Sequence, residues 1–268
     1  MALAPNGVGR KLIPPMRNLR LIARLDIKGP NLIKGIQLEG VRVVGDPRTF
    51  ARRYYDEGAD EILYMDAVAS LYGRDTMQDI VRRTAEEVFV PITVGGGLRS
   101  VEDVRAMLRA GADKIAINTA ATQRPELIAE VARIFGSQCM VLQIDAKRNG
   151  KGGWEAYCDG GREHTNLDAI AWARQGEKLG AGEILLTSVD REGTCRGFDC
   201  ELIEAVTRSV SIPVIASGGM GAFAHLRDAA IRGGADAVAI AHVLHYGKAT
   251  LPVLRAEARA EGLPVRAA

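Results

Sequence analysis

The sequence predicts one α/β domain, a (β/α)8 TIM barrel built from two duplicated half-barrels. Three observations lead there. The chain repeats itself: GADEIL at Gly58 returns as GAGEIL at Gly180, and VPITVGGG ending at Gly97 returns as IPVIASGG ending at Gly219. GADKIAINTA from Gly111 is echoed by GADAVAIAHV from Gly234, and LDIK around Asp26 by IDAK around Asp145. The four pairs keep their order at an offset of about 120 residues, the mark of a duplicated half-domain. Secondly, short near-continuous apolar runs alternate with amphipathic stretches, as parallel strands covered on both faces require. Thirdly, no compositional break divides the 268 residues, a length that suits one barrel.

Eight runs qualify as barrel strands: 21–27, 61–66, 90–94, 114–118, 139–145, 183–188, 212–217 and 237–241. Helix starts stand between them. Asp46-Pro47 offers an N-cap with proline at the first helical position. Ser100 to Asp103 forms a capping box with Asp in place of Glu, and Arg124-Pro125-Glu126 opens another helix. Gly58, Gly111, Gly180 and Gly233 follow helix ends, where a left-handed residue is needed. After the fifth strand, NG and DGG turn signals flank WEAYC and predict a β-hairpin. The barrel is expected over 18–268, with half-barrels at about 18–137 and 138–262. Residues 1–17, rich in Pro and Gly and without a signal-peptide core, are expected to be a disordered extension.

Charge is nearly balanced, with 35 basic against 33 acidic residues and a net charge of +2. No block of like charge suggests a nucleic-acid or membrane partner. The longest apolar runs are strand-sized, far short of a membrane span. Four cysteines form no CxxC pair, and a core this large needs no disulfides, so a cytoplasmic location is expected. His242 and His245 lack a third metal ligand nearby in sequence; neither a metal nor a cofactor is expected.

Barrel chemistry sits at the C-terminal ends of the strands. There stand Asp26, Asp66, Gly95, Gly96, Gly97, Asn118, Thr119, Asp145, Thr187, Ser188, Ser217, Gly218 and Gly219. Asp26 and Asp145 end the first and fifth strands, on opposite sides of an eight-stranded ring, a placing suited to general acid and general base work. The two glycine clusters, flanked by Asn118-Thr119 and Ser217, suit anions held by backbone N–H groups. A substrate with a phosphate at each end is expected. At the other end of the barrel Arg20, Glu61, Lys114 and Glu183 begin four strands. They read either as ordinary solvated residues or as a ring of zero net charge.

With these residues in place, the chain from Arg20 to Gly262 resembles the cyclase subunit of imidazole glycerol phosphate synthase, the HisF family. The segments that carry the resemblance are LDIK, GADEILYMDAVAS, ITVGGG, ADKIAINTAA, FGSQCMVLQIDAKR, GAGEILLTSVDREGT and PVIASGG. The resemblance implies a lyase of histidine biosynthesis, one half of a glutamine amidotransferase. A glutaminase subunit would dock under the barrel and release ammonia, which would travel through the core. The substrate would be the diphosphorylated phosphoribulosyl-formimino-aminoimidazole-carboxamide ribotide, and the products imidazole glycerol phosphate and aminoimidazole carboxamide ribotide. Asp145 matches the family's general acid and Asp26 its general base. Arg20, Glu61, Lys114 and Glu183 match its ammonia gate, Asp113 a position facing the glutaminase, and Lys34 a mobile-loop lysine over the substrate.

The chain also departs from the family. A family cysteine is Arg24, the loop's Asp-Gly is Gly29-Pro30, and Asn-Phe is Gln37-Leu38. Ala-Ser at the second phosphate site is Ala241-His242, and a threonine is Val68. The changes cluster on the substrate face. An alternative reading is therefore a paralogue that uses glutaminase-derived ammonia to form an amidino or acetamidino group on a bacterial surface sugar. A half-barrel sugar isomerase and a non-catalytic glutaminase activator are further alternatives; the charged ring argues against the first and the two aspartates against the second.

Overall fold

The structure is a computed structural model, and it describes residues 18–67 and 75–267. Val68 and the extension expected over 1–17 lie outside the described residues. In chain order, β1 (Arg20–Lys28) is followed by a hairpin, β2 (Asn31–Ile36) and β3 (Glu39–Gly45), and then by α1 (Pro47–Asp56) and β4 (Glu61–Asp66). Next come α2 (Asp75–Ala85), β5 (Ile92–Gly95), α3 (Val101–Ala110), β6 (Lys114–Ile117), α4 (Thr119–Gln123) and α5 (Glu126–Phe135). The second half runs β7 (Met140–Arg148), β8 (Trp154–Cys158), β9 (Glu163–Asp168), α6 (Ala169–Lys178), β10 (Glu183–Ser188) and α7 (Cys200–Thr207). It ends with β11 (Val214–Ser217), α8 (Phe223–Ile231), β12 (Ala237–Ile240), α9 (His242–His245) and α10 (Leu251–Ala260).

The strands β1, β4, β5, β6, β7, β10, β11 and β12 pair in parallel in that order. β12 pairs back onto β1, with Arg20 opposite Ala237, and closes the (β/α)8 barrel. Side chains alternate across each barrel strand, so every barrel strand except β5 supplies two cores. On β1, Leu21, Ala23, Leu25 and Ile27 pack outward into the layer shared with the helices. Ile22 points inward with Leu63, Met65, Ala116, Val141, Leu185, Ile215, Ala237 and Ala239, a separate apolar lumen.

The local signals act as their chemistry requires. Asp46 caps α1, accepting from the Thr49 N–H at 2.8 Å, and Ser100 with Asp103 completes the capping box of α3. Gly58, Gly111 and Gly180 take left-handed conformations. At the fourth position the left-handed residue is Gly234, φ 72°, not Gly233. Gly233 is small for another reason: a Cβ there would lie 2.6 Å from the Ala229 carbonyl oxygen. The hairpin around WEAYC is larger than expected, because β8 pairs antiparallel with both the end of β7 and β9. The segment expected as a loop over Lys34 is the β2–β3 hairpin, which continues β1 as an antiparallel ribbon above the barrel mouth.

Candidate active site

On the lumen face of β1 the residues Arg20, Ile22, Arg24 and Asp26 succeed one another from bottom to top, because the pleat repeats every two residues. The same rule stacks Val141, Gln143 and Asp145 on β7, and Glu183, Leu185 and Thr187 on β10. Asp26 and Asp145 are both buried, and both line one cavity of about 180 Å³ at the barrel mouth. Lys34, Gly96, Gly97, Asn118 and Thr119 line it with them. A smaller cavity of about 20 Å³ is bounded by Ser217, Gly218, Gly219, Ala241 and His242, with Lys34 and Glu192. Gly95, Thr187 and Ser188 line neither of the two. Gly95 lies in the barrel wall, where a Cβ would come within 2.7 Å of the Met65 sulfur.

The two carboxylates have opposite surroundings. Burial by itself would raise the Asp26 carboxyl, but the charges of Arg24 and Lys34 outweigh it and hold Asp26 below the ordinary aspartate range. Arg24 Nε donates to Asp26 Oδ1 at 2.9 Å, and Lys34 Nζ lies 3.5 Å from Oδ2. Asp145 is pushed up by burial, which its neutral donors and the more distant Arg24 only partly offset. Gln143 Nε2 reaches both its oxygens at 3.1 Å, and Asn118 Nδ2 donates to Oδ2 at 2.9 Å. One pocket thus holds a carboxylate kept ionised and a carboxyl that favours its proton, the arrangement that base and acid need.

The glycine clusters have a packing cause as well. Gly96 and its repeat partner Gly218 both take positive φ, 95° and 93°. A Cβ at Gly96 would lie 2.3 Å from the Asp66 carbonyl oxygen, and at Gly218 2.7 Å from that of Ser188. Successive loops at the mouth therefore touch backbone to backbone at equivalent points of the two halves. Thr119 accepts from the Asp159 N–H, and His242 Nε2 lies 3.0 Å from Lys248 Nζ. Burial and that neighbouring cation lower the His242 pKa. A neutral His242 with Lys248 behind it therefore replaces the expected serine.

At the bottom, the four charged residues form a closed ring. Arg20 bonds Glu61 at 3.1 Å and also pairs with Glu183, while Lys114 Nζ reaches Glu61 at 2.8 Å and Glu183 at 2.9 Å. Glu61 and Glu183 are buried, so the solvated reading of these residues does not hold. Asp113 is exposed beside the ring, and its carboxylate accepts the Ile92 N–H at 2.8 Å.

Lys34 is not in a loop but buried on β2, paired with Glu192 from the turn after β10. Sequence reading left out Glu192 and Gln143 and noted Arg24 only as a departure. The signal for Gln143 and Arg24 was available, since each precedes its aspartate by two residues and so shares its face. Glu192 had no such signal; the turn brings it to Lys34 from 158 residues away.

A barrel whose mouth holds two buried carboxylates of opposed environment, above an apolar lumen closed by an ion-paired ring, has the build of a TIM-barrel enzyme. Comparison with known proteins gives the family. The family described as "Histidine biosynthesis protein" matches residues 20–250, and the chain belongs to it. It is 66% identical over 206 residues to the imidazole glycerol phosphate synthase subunit HisF of Legionella pneumophila, covering 77% of this chain and 97% of the relative. It is 52% identical to the subunit HisF of Myxococcus xanthus, over 94% of this chain and 99% of the relative, and 52% identical to that of Thermobifida fusca, over 92% and 98%. A protein named as a subunit has a partner. Among the described residues no helix is long and apolar enough to cross a membrane.

Proposed function

We propose that this chain is the cyclase subunit of imidazole glycerol phosphate synthase, a lyase of histidine biosynthesis, fed with ammonia by a glutaminase. The observation that carries this reading is the opposed pair in one cavity, Asp26 bonded to Arg24 and close to Lys34 and Asp145 held by the neutral amides of Gln143 and Asn118, above a lumen of apolar side chains. Neutral ammonia suits that lumen, because an ammonium ion would lose its hydration there. The ring of Arg20, Glu61, Lys114 and Glu183 stands where ammonia would enter, and Asp113 lies on the face where the glutaminase would dock.

The diphosphorylated substrate lies across the mouth, one phosphate by Gly96, Gly97, Asn118 and Thr119, the other by Ser217, Gly218, Gly219 and His242. Ammonia leaving the lumen adds to an electrophilic carbon of the substrate's centre. Asp26 takes a proton from the attacking nitrogen, and Asp145 gives one to the oxygen or nitrogen that leaves. No metal or cofactor enters these steps. The relatives are named HisF, and nothing in the comparisons favours the surface-sugar alternative.

The test is turnover of phosphoribulosyl-formimino-aminoimidazole-carboxamide ribotide with ammonium salts, followed by loss of its absorbance. Turnover that disappears in Asp26→Asn and in Asp145→Asn supports the reading. A folded protein that leaves the substrate untouched refutes it.

A further inference from the structure

Arg24 holds a place that the acid and base roles leave unexplained. It is only 3% exposed, yet with Lys34 it lines both cavities, so these two side chains form the wall between them. Its Nε donates to Asp26, and Nη1 donates to Thr187 Oγ1 at 3.1 Å and to Ser217 Oγ at 2.9 Å. Residues on β1, β10 and β11 therefore fix the guanidinium plane. Of its five N–H donors these bonds use three. The remaining two, on Nη2, have no partner among the described residues. Lacking a partner and not fully sealed, Nη2 is left to meet a molecule held in the cavities that Arg24 lines. On the lumen face of β1, Arg24 stands one step above the apolar Ile22 and one step below Asp26. A molecule leaving the lumen emerges beside it.

We propose that Arg24 is a specificity-determining residue whose Nη2 edge holds an oxygen of the open-chain sugar segment spanning the two cavities. The inference rests on the cyclase reading, which lays a phosphoribulosyl chain across the mouth. The phosphate of that chain goes to one glycine cluster and the ribotide phosphate to the other, and Arg24 lies between them, where the keto and hydroxyl oxygens of the chain pass. A planar fork immobilised by three bonds accepts an oxygen at one position only, unlike a flexible ammonium. A side chain the size of cysteine would leave Lys34 alone between the cavities. Ammonia then meets a carbon whose oxygen is already pinned by a cation.

The experiment titrates ribulose 5-phosphate and, separately, inorganic phosphate into the full-length protein and its Arg24→Met and Arg24→Lys variants by calorimetry at mildly alkaline pH. Loss of one hydrogen bond to a charged group predicts ribulose 5-phosphate binding about tenfold weaker in both variants, with inorganic phosphate unchanged within about twofold. Arg24→Lys keeps a cation beside Asp26 but not the fork, so it reports even where Arg24→Met fails to fold. Unchanged ribulose 5-phosphate affinity in Arg24→Lys overturns the proposal. So does equal weakening of both probes, which would make Arg24 only a source of positive field, and so does wild-type protein that binds ribulose 5-phosphate no better than phosphate. Because these are binding measurements, failure of turnover on the histidine intermediate, which refutes the cyclase reading, remains a separate result.

Discussion

At the scale of single residues, two aspartates of the same chemistry are driven apart by what stands two positions before each. Arg24 precedes Asp26 and Gln143 precedes Asp145, so one carboxyl meets a cation and the other a neutral amide. Replacing either aspartate with asparagine should lower kcat by roughly 10²–10⁴-fold, the usual contribution of a positioned acid or base. The pH dependence follows from the two directions. In the proposed base role Asp26 works ionised, and its pKa is lowered, so the acid limb of kcat/KM should lie below the ordinary aspartate range. In the proposed acid role Asp145 works protonated, and its pKa is raised, so activity should fall as pH rises above that range. Arg24→Met removes the main cation beside Asp26, so its acid limb should move to higher pH, as pH–rate profiles of the two proteins would show. Stability obeys the same signs: the contribution of ionised Asp26 is present above the unfolded aspartate pKa and is lost as pH falls through its lowered folded value.

At the scale of elements, the β2–β3 hairpin covers the site. It is tied down by the Lys34–Glu192 pair and by the Gln37 N–H, which donates to the Glu192 carbonyl at 2.8 Å. Its turn places Gln37 and Leu38 in left-handed conformations, φ 52° and 65°, although neither is glycine. Two-residue hairpin turns of this hand favour Asn-Gly. The double change Gln37→Asn, Leu38→Gly should therefore relieve strain and raise stability by about 1 kcal/mol, read from the denaturant midpoint. In the other direction, Ser100→Ala removes the side-chain half of the α3 capping box and should cost about 1 kcal/mol by the same measurement. The hairpin was hard to read in the sequence because NLIKGI alternates poorly and no Asn-Gly marks the turn. The WEAYC hairpin, with NG and DGG beside it, was legible.

At the scale of the whole molecule, the barrel links two faces through one lumen. Four strands bring Arg20, Glu61, Lys114 and Glu183 together at the bottom, and those strands with their neighbours carry the carboxylates and glycines at the top. Replacing Lys114 with Met leaves Glu61 and Glu183 with Arg20 as their shared ring cation. If the proposed ammonia route holds, opening the ring changes how ammonia enters, not the chemistry at the mouth. In the assembled enzyme, glutamine-driven turnover of Lys114→Met should therefore fall relative to turnover driven by ammonium salts. Equal loss in both assays would mean that the substitution acts on the barrel as a whole.

The sequence by itself determined the barrel, because apolar runs of strand length recur in two matching halves and each local stop and start agrees with them. It also determined which strand ends carry aspartates and glycines, since the C-terminal ends of parallel strands must share one face. Tertiary structure alone decided what each of those groups meets. Glu192 reaches Lys34 through a turn with no sequence signature, Arg24 spans from β1 to β10 and β11, and a neutral His242 leans on Lys248. The physical reason is that strand periodicity depends on neighbours two residues apart, whereas the charge state of a buried group depends on whatever distant side chain is folded against it.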